Sequence, residues 1–220
     1  MASKLNRRGL SWLPKLRMQI LSPVFVLVLG VSCKPKTFDS EKELFAYLKT
    51  EANGYHHEKV IGNISYALTY RPTDLLVKQE LTEGFSNEKV DSLRKEYSNY
   101  LYFNLSMSAN NQELLNATAR NRNEFGVMVN QLVFGMGDKV HLISQKRDTI
   151  PMIDYVYPRM YGTDKSTNML LVYPKEKKLL EQDYFFFSVQ DFGFATGEVG
   201  FKIHTKPFLI EPQLNFDEIL

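Results

Sequence analysis

The feature that most constrains this chain is an apolar run, Ile20 to Ser32, that ends at the chain's single cysteine, Cys33. The segment before the run contains five basic residues and no acidic one: Lys4, Arg7, Arg8, Lys15 and Arg17. A basic flank, a short apolar core and a small final residue are typical of a secretory signal peptide. The run has thirteen residues, whereas a helix that spans a bilayer core needs about 20. The sequence therefore predicts that residues 1–32 are removed.

The five residues Leu29-Gly30-Val31-Ser32-Cys33 resemble the lipobox of bacterial lipoproteins, a class in which the cysteine is acylated and becomes the new N-terminus. The common pattern has Leu three residues before the cysteine, whereas this chain has Gly30 there and Leu29 one position further out. The resemblance implies that Cys33 carries three acyl chains, palmitate among them. Two membrane signals already anchor a protein stably, so three chains would hold the domain at the bilayer. The alternative is an ordinary signal peptide followed by an incidental cysteine.

The residues after Cys33 bear on the destination that the resemblance implies. In enterobacterial lipoproteins an Asp after the cysteine retains the protein at the inner membrane, and this chain has Lys34 there. Some Bacteroidota-type lipoproteins reach the cell surface through an acidic cluster, which Lys34-Pro35-Lys36 lacks. The implied location is the periplasmic face of the outer membrane, with the cell surface as the alternative. The implied partners are the bilayer, through acylated Cys33, and another envelope protein.

Length and charge favour a single domain that depends on its apolar core. Removal of residues 1–32 leaves 188 of the 220 residues, enough for one domain with a sizeable core. Of the 27 basic residues 22 remain against 25 acidic ones, a net charge of −3. That balance argues against a nucleic-acid partner. With no cysteine after Cys33 the domain forms no disulfide. We expect residues 33–37 to be the acylated tether and residues 38–220 to be one globular domain.

Local patterns predict helices in the first two thirds of the chain. Ser40 and Glu43 form a capping-box pattern at the start of a helix that extends to Ala52. A short helix is expected from Pro72 to Leu81, and another begins near Asn87. A further helix is predicted by an apolar stripe at helical spacing: Phe125, Met128, Val129, Leu132 and Val133.

Alternating or continuous apolar residues predict strands over residues 63–70, 101–108, 140–145, 150–157, 169–173, 184–189 and 199–204. The segment between 145 and 150 has the length of a hairpin loop. The tail from Pro207 ends in apolar residues and is expected to pack back on the domain. The predicted fold class is α+β, a single β-rich, β-sandwich-like domain with short helices before and between the early strands.

No pattern of catalytic or metal-binding residues is visible in the predicted domain. His56-His57-Glu58 is the densest cluster, but it lacks the spacing that places two histidine ligands on one helix face. We interpret these histidines as exposed loop residues, and His141 and His204 fall in predicted strands. The Gly-x-Ser-x-Gly motif of a nucleophilic serine is absent from the sequence. The sequence therefore predicts a non-enzyme with no catalytic residues, no metal and no cofactor.

The best candidate for a binding surface is an aromatic and cationic set that surrounds Pro158: Tyr155, Tyr157, Arg159 and Tyr161. Aromatic residues and arginine dominate binding hot spots, and sugar-binding platforms need similar faces. The alternative is that alternate tyrosines form cross-strand pairs at the edge of the core.

Three functions remain open, in order of preference. The first is a membrane-anchored envelope lipoprotein that serves as a non-enzymatic interaction or structural subunit. The second is a lipoprotein that binds glycans or small ligands through Tyr155 to Tyr161. The third is an envelope hydrolase that uses paired carboxylates, which spacing along a chain does not reveal.

Overall fold

The computed structural model of the chain describes residues 34–158 and 164–218. The predicted signal peptide, the predicted lipid-attachment residue Cys33, and Arg159 and Tyr161 of the predicted binding surface lie outside these ranges. Within the ranges, no helix has both the length and the apolar character that crossing a bilayer requires.

Strands and short helices alternate along the described residues. The strands are β1 (Thr37–Phe38), β2 (His56–Ile61), β3 (Ile64–Tyr70), β4 (Tyr100–Ala109), β5 (Gln112–Glu113), β6 (Val140–Ser144), β7 (Thr149–Ile150), β8 (Asp154–Val156), β9 (Thr167–Pro174), β10 (Tyr184–Val189), β11 (Val199–His204) and β12 (Gln213–Leu214). The helices are α1 (Glu41–Lys49), α2 (Thr73–Glu80), α3 (Asn87–Tyr97), α4 (Leu114–Thr118), α5 (Arg122–Phe134), α6 (Lys177–Leu180) and α7 (Lys206–Leu209). Single 3₁₀ turns follow α1 and α5.

Serine caps set the starts of two helices, the predicted cap Ser40 and a second cap, Ser86. The Ser40 hydroxyl accepts the backbone N–H of Glu43 at 3.3 Å and begins α1. Ser86 caps α3 in the same way through the N–H of Lys89. These bonds satisfy N–H groups that have no partner inside a helix, which is why serine is favoured at such positions.

Two antiparallel sheets face each other across the core. The larger sheet has the order β2-β3-β4-β9-β8, with β5 added to one end of β4, and the smaller has the order β11-β10-β6-β7. Strict alternation along β3 and β9 turns every second side chain into the space between the sheets. The predicted α+β class with a β-rich, sandwich-like architecture is therefore confirmed.

Aromatic rings fill the space between the sheets. Phe103 of β4 lies 6.1 Å from Phe185 and 5.7 Å from Phe187 of β10, measured between ring centroids. The hydroxyl of Tyr173 donates to the carbonyl of Val140 at 3.3 Å, which joins β9 to β6. The buried rings contribute strongly to stability because each removes a large apolar area from water.

The tail packs back on the domain, as the sequence predicts. β12 pairs in parallel with β1, and Leu214 and Phe216 are buried. The two strands are only two residues long, so the side chains described below supply the remaining attachment.

Two predictions about β structure are wrong. His56 and His57, predicted in an exposed loop, lie on strand β2, which pairs with β3 along its whole length. The predicted strand 150–157 is divided between the sheets: β7 pairs with β6, whereas β8 pairs with β9. Pro151 follows β7 directly, and proline cannot donate a ladder hydrogen bond, so the chain leaves the smaller sheet there.

Candidate functional site

Helix α5 is capped at both ends and therefore has a defined orientation. The Asn121 side chain accepts the N–H of Glu124 at 2.9 Å, and the Glu124 carboxylate in return accepts the N–H of Arg120 at 3.0 Å. At the other end the Gly135 N–H donates to the carbonyl of Gln131 at 2.9 Å. Such reciprocal caps hold a helix even where tertiary packing is light.

Tertiary packing of α5 is light, because only one of its side chains is fully buried. Leu132 has no exposed surface, and Met128 packs partly against the core. Phe125, which the predicted stripe places on the inner face, remains largely exposed. The predicted stripe therefore identifies the face of α5 that packs on the core, but Phe125 at its N-terminal end does not pack there.

Two apolar side chains of α5 face solvent on the side opposite Leu132. Val127 is 63% exposed and Phe134 is 77% exposed. At about 100° per residue, Val127 and Phe134 lie within about 20° of each other and Phe134 lies about 160° from Leu132. Folding of the domain does not account for apolar residues on this side of the helix.

Two exposed apolar residues lie close in the chain to Tyr155, which contacts the residues just after α5: Ile153, directly before β8, and Val156, within it. The Tyr155 hydroxyl accepts the backbone N–H of Met136, two residues after α5 ends, at 3.4 Å. Ile153 and Val156, on either side of Tyr155, are each more than half exposed. We name Val127, Phe134, Ile153 and Val156 the α5–β8 surface. Exposed apolar residues scattered singly are ordinary, but several on adjoining elements mark interaction sites.

The predicted binding surface overlaps this region only in part. Tyr155 shares the inner face of the sheet with its pairing partner Leu171, and both Tyr155 and Tyr157 are half-buried against the core. Val156 pairs with Leu170 on the outer face. Period-two alternation separates Val156 from Tyr155, but it places Ile153 on the same face as Tyr155, so no pattern in the sequence joins the two aliphatic residues. Whether the predicted surface binds a ligand stays a prediction.

The chain reaches α5 from one particular end of the larger sheet. β5 pairs with Ser108 and Ala109 at the end of β4, and the N–H of Leu114 in α4 donates to the Thr167 hydroxyl at 3.1 Å. The start of β4, at Tyr100, pairs with Pro174 at the other end. The ten residues of β4 separate the two ends by about 30 Å.

A buried ionic cluster attaches the tail at the Tyr100 end. Asp74 is 2% exposed, and its carboxylate accepts Nε and Nη2 of Arg94 at 2.8 Å each and the N–H of Leu214 at 2.7 Å. Arg94 also donates to the carbonyl of Leu214 at 3.2 Å and covers the ring of Phe216. The hydrogen bonds that Arg94 donates to Asp74 raise the pKa of the guanidinium above its ordinary value. We name Asp74, Arg94 and Leu214 the tail clasp.

A second ionic pair lies beside the tail clasp. The Glu211 carboxylate accepts the N–H of Thr73 at 2.9 Å and forms a close ion pair with Lys175. Asp74 and Glu211 line the same cleft, but each is bound to a cation, so in the described residues both carboxylates act to hold the tail. The hydrolase hypothesis stays a prediction.

The histidine cluster forms hydrogen bonds within the sheet. Nδ1 of His56 lies 2.7 Å from the Thr69 hydroxyl, and Nε2 lies 2.8 Å from the Glu58 carboxylate. His57 is half-buried and lies 6.5 Å from the ring of Phe201, and burial lowers the pKa of His57. Across the two described ranges, no group of three or more His, Cys, Asp or Glu side chains is arranged to hold a metal ion.

Comparisons with known proteins add no functional information. No protein family and no curated protein matches the sequence. A crystal structure at 1.90 Å resolution of a novel protein of unknown function from Burkholderia pseudomallei K96243 is similar at 14% identity, covering 74% of this chain and 89% of that one. The TM-score of 0.33 is too low for that likeness to support an argument about fold or function.

Proposed function

We propose that this protein is a lipid-anchored envelope protein that binds another envelope protein as a non-enzymatic interaction or structural subunit. The proposed anchor is acylated Cys33, and the support for it is the basic flank, apolar run and lipobox-like residues that precede Cys33. By the same resemblance we propose the periplasmic face of the outer membrane as the location.

The observation that carries the interaction is the exposed apolar side of α5. Phe134 is the most exposed large apolar residue in the described ranges, and Val127 lies on the same side of the helix. Burying an aromatic side chain of this kind in a partner is worth about 1.5–3 kcal/mol. An exposed apolar helix face next to aliphatic strand residues fits a groove on another protein, a recurring mode of recognition.

The chain enters α5 from the end of the larger sheet that lies about 30 Å from the end where β1 begins, and β1 follows the proposed anchor by four residues. The helix then runs back towards the β1 end, because Met136, two residues after α5, contacts Tyr155, whose partner Leu171 pairs with Phe103, three residues from Tyr100. The exposed apolar face of the helix, rather than its distance from the membrane, supports a protein partner.

Crosslinking in intact cells tests the interaction. We expect purification of the crosslinked protein to recover a specific envelope protein, and the double variant Val127→Ser/Phe134→Ser to lose it. Substitution of exposed residues away from other contacts changes the free energy of unfolding by about 0.5 kcal/mol or less, so the variant should fold.

Val60→Ser is the matched control. Val60 is an exposed apolar residue on the outer face of edge strand β2, at the opposite edge of the larger sheet from β8. We expect this variant to retain the crosslinked partner. Recovery of the same partner with the double variant, or of no partner with the unaltered protein, would contradict the proposed interaction.

A separate experiment tests the anchor. Mass spectrometry of the purified protein should show a chain that begins at Cys33 and carries acyl chains, and Cys33→Ser should leave the membrane fraction. A chain that retains residues 1–32, or a Cys33→Ser variant that stays with membranes like the unaltered protein, would refute lipid attachment.

A further inference from the structure

The tail presents two apolar residues to solvent from a rigid position. In α7, Phe208 is buried with its ring centroid 4.7 Å from that of Tyr70 and 5.6 Å from that of Phe185. The carbonyl of Pro207 accepts the hydroxyl of Tyr55 at 2.7 Å. The next two residues, Leu209 and Ile210, are 60% and 40% exposed.

Contacts on both sides prevent Leu209 and Ile210 from turning inward against the domain. Phe208 holds the chain immediately before Leu209, and Glu211, bound to Thr73 and Lys175, holds it immediately after Ile210. Leu209 and Ile210 therefore form the tip between two fixed points. Exposed apolar residues that are held in a fixed position indicate a surface that contacts a partner.

The start of the domain emerges beside the same tip. Pro35 lines a cleft of about 370 Å³ together with Leu209 and Ile210. The N–H of Gln213 donates to the carbonyl of Lys36 at 2.8 Å, and β1 pairs with β12 from Thr37 onward. Pro35 lies against the domain, and the two chain steps from Cys33 to Pro35 span about 7 Å at most.

We propose that Leu209 and Ile210, with Pro35, form the surface that inserts into the headgroup region of the bilayer and gives the tethered domain one fixed orientation. This inference rests on the proposed acylation of Cys33, which would place Pro35, beside the tip, within about 7 Å of the acylated residue. The exposed lysines Lys95 and Lys206 line clefts together with Leu209, and the exposed Lys34 precedes Pro35 in the chain. The cleft that contains Lys206 is also lined by Glu181 and Asp183. Apolar residues flanked by lysines are the composition of interfacial membrane contacts.

A single-tryptophan reporter tests the orientation in the full acylated protein. The only tryptophan of the chain is Trp12, inside the predicted signal peptide, so the processed protein has none. Leu209→Trp and Ile210→Trp each introduce one reporter at an exposed position, where the fold tolerates it. Val60→Trp introduces a control reporter, because Val60 pairs with Ser65 at the other end of the larger sheet.

The acylated variants are reconstituted into phosphatidylcholine vesicles, with and without bromine on the acyl chains. Vesicle flotation scores the anchor, and tryptophan fluorescence scores the orientation. We expect emission from both tip reporters to shift to shorter wavelength and to be quenched by the brominated lipid, while Val60→Trp shows neither change.

The outcomes separate the inference from the function on which it rests. If all three variants float with the vesicles but the tip reporters emit like Val60→Trp, the orientation is wrong and the anchor stands. If the variants do not float, both the anchor and the orientation are wrong. Equal quenching at all three positions would also overturn the inference, because the domain would then have no fixed orientation.

Discussion

Replacement of Asp74 by alanine tests whether the tail clasp stabilises the fold. The carboxylate is almost fully buried and accepts three hydrogen bonds, two from Arg94 and one from the N–H of Leu214. Asp74→Ala leaves the Arg94 charge and a buried N–H without their acceptor. Breaking a buried ion pair by removing one partner costs about 3–5 kcal/mol. The Arg94 side chain is 30% exposed, and water can solvate it in part, so we expect a loss of about 3 kcal/mol.

Urea unfolding followed by circular dichroism measures this loss. The matched control is Glu181→Ala, which removes an ion pair with Lys177 whose partners are both largely exposed. Exposed pairs contribute about 0–1 kcal/mol, so the control should unfold almost like the unaltered protein. The double variant Asp74→Ala/Arg94→Ala removes both charges, and we expect it to be no less stable than Asp74→Ala alone.

Hydrogen exchange at the Leu214 amide localises the effect. The N–H of Leu214 should exchange faster in Asp74→Ala because the carboxylate that accepts it is gone, while amides of β4 change less. An Asp74→Ala variant that loses no more stability than Glu181→Ala, with the Leu214 amide still protected, would refute the assignment of the tail clasp.

Two further predictions concern the core and the response to pH. Phe208→Ala should lower the free energy of unfolding by about 3–5 kcal/mol, because the ring is buried among four other rings, and the exposed Phe186→Ala should lose less in the same urea assay. Burial lowers the pKa of His57 below its ordinary 6.5, so the unfolded chain binds the proton first as pH falls. Stability from this group is complete above pH 6.5 and is lost as pH falls towards the lowered value. His57→Gln should therefore lose less stability than the unaltered protein between about pH 7 and 5, and equal losses would contradict the account.

Local patterns in the sequence predict the elements whose determinants are near one another in the chain. The Ser40 cap of α1 and the alternation in β3 are examples, and both are confirmed. β2 was missed because its residues, His56 to Ile61, include no alternation of apolar and polar types. β2 is an edge strand, and its place in the sheet comes from backbone pairing with β3 rather than from burial of its own side chains.

Contacts between residues that are distant in the chain could not be predicted from the sequence. Asp74 meets Arg94 across 20 positions and Leu214 across 140, and nothing in the spacing of these residues predicts the clasp. The α5 stripe was visible, but Val127 and Phe134 became informative only once the structure showed which side of the helix faces the core. The proline after Ile150 was a usable signal for the division of the predicted strand, and it was overlooked.

The tail clasp connects the two proposals. The tail clasp holds the tail beside the start of the domain. A short tether at Lys34 would therefore fix the orientation of the whole domain relative to the bilayer, and not only that of the tail. β4 extends about 30 Å from this end of the domain to the end where α4 leads into α5. A partner that binds the α5–β8 surface would meet it at a fixed height above the membrane. Loss of the clasp would keep the lipid anchor but release this constraint, so in vesicles that hold Leu209→Trp, the added Asp74→Ala change should reduce quenching without preventing flotation.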